Sequence, residues 1–235
     1  MNVVTSELTK IRTLRSTMWT LIAMVGVLIG TALLVALTGS LHPGETVVAA
    51  ALGNSAVGLV AAGAFGALAM ATEYTSGTIR TTCTACPERG LVFAAKALVT
   101  AVVVGVVALV AAVAAFGAAA ALLDRAEHPL GEPIPALLGA AACHVATALL
   151  GLALATALRS AVGGITAIAA LLLLPTMFGP LLGDAEPWIT GATPTTALQK
   201  LAAPTEGTWP TLTLVATYTA AALAAAVAAF RTRDV

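Results

Sequence analysis

Charge is what this sequence has least of: Asp, Glu, Lys and Arg make up 9% of its 235 residues, against about 25% in a typical soluble domain. Aromatic residues are sparser still, at 4%. So few polar side chains cannot cover a soluble globule of this length. The 11 basic and 11 acidic residues cancel to a net charge of zero, which removes the basic footprint that nucleic-acid binding requires. Three cysteines do not make a disulfide framework. No GxxxxGK[ST] loop, GxGxxG turn or HExxH helix occurs. The chain is therefore expected to hydrolyse no ATP by itself, and no catalytic residue is assigned.

What fills the chain instead is hydrocarbon, with 59% of residues hydrophobic. A bilayer core takes roughly 20 apolar residues in a helix. Six uncharged runs reach that length: Trp19–Leu41, Val47–Ala71, Ala97–Leu123, Ala136–Leu158, Ala161–Leu182 and Pro210–Phe230. The third could start at Leu91 if Lys96 snorkels to the membrane surface. Together the runs take 141 of the 235 residues, so no separate soluble domain fits in the remainder. The expected fold is all-α: a polytopic membrane protein with six transmembrane helices in a single domain, 1–235.

Orientation follows from the cations, which cytoplasmic segments retain. A cytoplasmic amino terminus gathers Lys10, Arg12, Arg15, Arg80, Arg89, Lys96, Arg159, Arg231 and Arg233 inside and leaves Arg125 and Lys200 outside. Both termini are then cytoplasmic. The first run begins too late and runs too long for a cleavable signal peptide, so a retained span is expected. Ahead of it, Val4, Leu8, Ile11, Leu14 and Met18 recur at helical spacing with Lys10, Arg12 and Arg15 on other faces. That is the pattern of an amphipathic helix lying at the membrane interface. A solvated basic leader is the plainer alternative.

The runs hold no Asp, Glu, Lys or Arg and a single histidine, His144. Charged groups in a membrane interior usually mark ion or proton paths, so ion-coupled transport is disfavoured. His144 reads as a hydrogen-bonded packing residue. Scattered hydroxyls, Thr147 and Thr156 among them, suit helix contacts, as does the GxxxG of Gly26 and Gly30. Asn54 and Ser55 form the most polar adjacent pair in any run and are the candidates for a substrate path. Cys83 and Cys86 make one CxxC, and zinc needs four ligands. No metal site is expected.

One inside connection is long, 72–96, whereas the other is Arg159–Ser160 alone. Thr75 or Ser76 could start a short helix in it, and Pro87 would end that helix at or before Cys86. Such a rod would serve as a lever against a cytoplasmic partner.

In the leader Ser6-Glu7-Leu8-Thr9-Lys10-Ile11-Arg12-Thr13-Leu14-Arg15-Ser16-Thr17 before a Trp-led span, and in Glu73-Tyr74-Thr75-Ser76-Gly77-Thr78-Ile79-Arg80 followed by Pro87-Glu88-Arg89 and Lys96, the sequence resembles the permease subunits of ABC-2 type exporters. The likeness is closest to the small six-span ones of high-GC bacteria. The two blocks cover about a fifth of the chain. The resemblance implies an N-terminal elbow helix over residues 1–18 and a coupling helix between spans two and three that docks on a separate ABC ATPase subunit. It implies a second permease copy or homologue, ATP and Mg on the partner rather than on this chain, and a bacterial inner-membrane location. It assigns Glu73, Gly77, Thr78, Arg80 and Arg89 to the coupling contact. Segment 183–209 would be re-entrant over the exit; a plain external loop fits it nearly as well. Apolar walls favour an amphipathic drug, peptide or lipid as substrate. A non-transporting immunity or regulatory membrane protein is the alternative, and a passive channel a further one.

Overall fold

A computed structural model of the chain describes residues 3–53, 56–78, 88–181, 190, 191, 193–202 and 208–232. All regular structure among these residues is helical. In chain order the helices are α1 (Val3–Thr13), α2 (Arg15–Thr38), α3 (Val47–Leu52), α4 (Ala56–Ser76), α5 (Arg89–Leu122), α6 (Pro133–Leu158), α7 (Ala161–Phe178), α8 (Pro194–Ala202) and α9 (Thr208–Thr232). A 3-10 turn, Gly179–Leu181, prolongs α7. Six of them, α2, α4, α5, α6, α7 and α9, are long and apolar enough to cross a membrane, which is the pattern of a multi-pass membrane protein.

The spans differ from the expected runs in instructive ways. Val47–Ala71 is not one helix. The short α3 begins behind Thr46, whose hydroxyl accepts from the Ala49 amide at 3.2 Å, and it ends at Gly53. A separate helix, α4, begins at Ala56. Asn54 and Ser55, at the junction, lie outside the described residues. At its other end α4 runs past Ala71 to Ser76, so Ser76 closes a span rather than opening a helix. The third span starts at Arg89, well before Ala97, and carries Lys96 inside the helix.

The spans run up and down as an even bundle. The 159–160 connection is a two-residue turn: Arg159 takes a left-handed backbone and the Ser160 hydroxyl caps α7 by accepting from Gly163 at 3.1 Å. At the opposite end, the 39–46 and 123–132 connections are knitted by backbone bonds, Gly44 N to Glu127 O and Val47 N to Pro129 O. There His128 Nδ1 meets the Glu45 carbonyl at 2.9 Å.

The centre of the bundle is the α4–α6 crossing, and glycine makes it possible. A methyl on Gly66 would fall 1.7 Å from the Ala148 carbonyl oxygen, and one on Gly151 would fall 2.0 Å from that of Gly63. Two backbones touch there, the arrangement that small residues allow between membrane helices. By contrast nothing lies within 4 Å of the Cβ positions of Gly26 and Gly30. Their GxxxG therefore makes no close helix contact among the described residues. Around the crossing, Leu28, Leu59, Phe65, Leu152, Ile168 and Leu172 are fully buried.

A charged ring as candidate functional site

Four ionisable side chains meet at the end of the bundle where α4 stops and α5 starts. Glu7 and Lys10 come from α1, three residues apart and so on one face of the helix. Glu73 sits in the last turn of α4, and Lys96 two turns into α5. Lys10 Nζ lies 2.7 Å from Glu7 Oε1 and 2.6 Å from Glu73 Oε1. Lys96 Nζ lies 2.5 Å from Glu7 Oε2 and 2.9 Å from Glu73 Oε1. Each carboxylate thus faces two ammonium groups and each ammonium two carboxylates. The result is a closed ring of alternating sign with no net charge.

Burial makes this arrangement consequential. The Glu7, Glu73 and Lys96 side chains are only 4–5% exposed; Lys10, at 30%, is the member nearest water. A lone charge so placed would be severely penalised, and pairing alone makes it tolerable. Burial works against the Lys10 ammonium, but hydrogen bonds and attraction from Glu7 and Glu73 outweigh it and hold that group above its ordinary range. The four contacts clamp α1 to α4 and α5 together.

Local structure delivers α1 to the ring. Leu14, in extended conformation, breaks the chain between α1 and α2. The buried Thr17 hydroxyl steadies the break by donating to the Leu14 and Ile11 carbonyls at 2.8 and 3.1 Å. Glu7 and Ile11 turn inward, whereas Leu8, Leu14 and Met18 are exposed. Lys10, expected on a face other than the apolar one, is partly buried in the ring, and Lys96 is buried in it rather than snorkelling.

Beside the ring lies a cavity of about 280 Å³, walled by Ile11, Leu14, Thr17, Ala69, Val99 and Thr100 among others. Glu73 Oε2 and Thr100 Oγ1 are buried without a hydrogen-bond partner among the described residues.

Of the residues assigned to coupling, Gly77, Thr78 and Arg89 lie at the adjoining ends of α4 and α5, the helices that carry Glu73 and Lys96. Glu73 is a member of the ring and points inward. Gly77, with φ of +70°, turns the chain out of α4, a conformation glycine adopts without strain. The Thr78 hydroxyl is 2.8 Å from that of Ser76. Arg89 is the first residue of α5 and partly exposed. Arg80, with Cys83, Cys86 and the rest of 79–87 where the coupling helix was expected, lies outside the described residues. Glu7, Lys10 and Lys96 were not singled out from the sequence. Their signal was there as flanking charges close to apolar runs, but it reads equally well as topology.

His144 forms a second, isolated polar point. Its Nδ1 donates to the Ala140 carbonyl at 2.8 Å, and its Nε2, buried near Gly58, has no hydrogen-bond partner among the described residues. Thr147 and Thr156 donate to their own helix, at the Cys143 and Leu152 carbonyls, as packing residues do. A scan against known protein families and a search of curated proteins find no match to the chain.

Proposed function

We propose that this chain is the membrane-spanning permease subunit of an ATP-driven exporter of the ABC-2 type, with α1 as its elbow helix and 79–87 within its coupling segment. One observation carries the reading: the ring joins α1 to the two helices that frame the 77–88 connection. A push on that connection from the cytoplasmic side therefore reaches α1, α4 and α5 as one body. Six apolar helices and a short far-end helix, α8, suit the same architecture.

In this reading two permeases, identical or homologous, enclose a path for an amphipathic drug, peptide or lipid. A separate ATPase subunit binds ATP and Mg, closes, and drives the coupling segments. Gly77, Thr78, Arg80 and Arg89 face the ATPase, the two arginines pairing with its acidic groups, while Glu73 passes the movement inward. The ring end is cytoplasmic, with both termini on that side of a bacterial inner membrane.

The test is purification of the tagged chain from its native membrane in mild detergent, with mass spectrometry of what stays bound. A stoichiometric subunit bearing a phosphate-binding loop is the expected result. Recovery of the chain alone, repeated under gentle crosslinking, overturns the reading in favour of a non-transporting membrane protein.

A further inference from the structure

The cavity beside the ring joins hydrocarbon walls to two polar atoms that have no partner. Ile11, Leu14, Ala69 and Val99 form its apolar side, and the ring members and Thr100 stand among its polar lining. Glu73 spends one carboxylate oxygen, Oε1, on both lysines; its Oε2 has no hydrogen-bond partner among the described residues. The Thr100 hydroxyl has none either. Both side chains are more than nine-tenths buried.

Thr100 is unusual within its own chain. Thr72, Thr147, Thr156 and Thr219 each give the hydroxyl proton to the carbonyl one turn back along the helix. Thr100 makes no such bond, so its proton is unspent. It also lies one helical turn beyond Lys96, on the same face of α5, and the Lys96 ammonium is 2.9 Å from Glu73. One wall of the cavity thus carries an acceptor, Glu73 Oε2, and a hydroxyl able to donate, Thr100 Oγ1. Buried polar groups normally have partners, and one left without carries the full cost of its lost hydration.

Charge and size narrow the occupant. The ring is already balanced, so an ion entering beside it would add a buried charge with no counterpart. A neutral hydroxyl adds none, and it donates and accepts at once. At about 30 Å³ for each water-sized group, the cavity of about 280 Å³ holds roughly nine heavy atoms. We propose that this cavity binds a neutral alcohol with a hydrocarbon body. Its hydroxyl donates to Glu73 Oε2 and accepts from Thr100, and its body lies against Ile11, Leu14 and Val99. The inference goes beyond the exporter reading and does not rest on it.

The test is photolabelling of the full chain in detergent with octan-1-ol that carries a diazirine on its chain, the insertion sites being read by peptide mass spectrometry. The expected result is saturable labelling at Ile11, Leu14, Ala69 or Val99 that excess octan-1-ol removes. The same probe ending in a methyl group or in an ammonium labels these residues about fivefold less or lower, the worth of one hydrogen bond. Thr100→Val keeps the side-chain shape and lowers labelling by the alcohol by a similar factor. Ala69→Leu fills the cavity and abolishes it, with an unchanged melting temperature in the absence of probe showing that the variant folds; Thr100→Val decides the matter if it does not. Equal labelling by the methyl-ended probe shows apolar partition only and overturns the proposal. So does preference for the ammonium, or labelling by the alcohol that survives Thr100→Val.

Discussion

The two ends of this bundle solve the same problem with different chemistry. At one end four charges are taken out of water and made to satisfy one another across three helices. At the other, connections are tied by backbone hydrogen bonds, and the polar side chains bond in small local groups, as Thr46 does in capping α3 and Thr193 in meeting Thr195 and Thr196. The ionic joint stakes several kcal/mol on each member; the far end spreads smaller amounts over many contacts. The ring ties three helices, α1, α4 and α5, directly to one another.

Removing one ring member is the strongest way to break the comparison. Glu73→Ala leaves Lys10 and Lys96 to share the single Glu7 carboxylate, one buried positive charge in excess, and is expected to cost about 3–5 kcal/mol, read as a fall in melting temperature of the purified chain. Adding Lys96→Met should recover much of that loss, because neutral, well-packed replacements of buried pairs are often tolerated. A double variant no better than the single one would show that the ring is not acting as a unit.

The central crossing is next. Gly66→Ala puts a methyl on the Ala148 carbonyl and should cost about 1–3 kcal/mol or more by forcing α4 from α6. Gly26→Ala, where space is open, should be neutral or slightly stabilising in the same melt, since alanine favours helix. At the far end, Thr46→Ala should cost only about 1 kcal/mol, the worth of a lost cap. The smallest effect concerns pH. The Lys10 value is raised above 10.5 in the folded chain, so its contribution is fully present below 10.5 and is lost only as pH rises through the higher folded value. Lys10→Met should therefore flatten a decline in melting temperature seen in strong alkali and leave the profile near neutrality unchanged in shape.

Hydropathy made the six spans legible, because an apolar run of sufficient length has few alternatives in a bilayer. Their edges and breaks were less so. Val47–Ala71 reads as one run because Gly53, Asn54 and Ser55 interrupt it without charge. The interior glycines could not be ranked either: Gly26 and Gly30 match a motif yet have open space at their Cβ positions among the described residues, whereas Gly63, Gly66 and Gly151 match none strictly and sit at the closest approach. The ring was hidden for a similar reason. Glu7 and Lys10 are three residues apart, but Glu73 and Lys96 are far from them in sequence, and only the folding of α1 against α4 and α5 reveals that charges at the edges of apolar segments face one another.

The ring's claim to join α1 to α4 and α5 is tested most directly by hydrogen–deuterium exchange on the detergent-solubilised chain and on its Glu73→Gln variant. The expected result is faster exchange of the backbone amides of α1 in the variant, with α6 still protected around Gly151. Protection of α1 undiminished by the substitution would contradict the account, because α1 would then be held by something other than the charges.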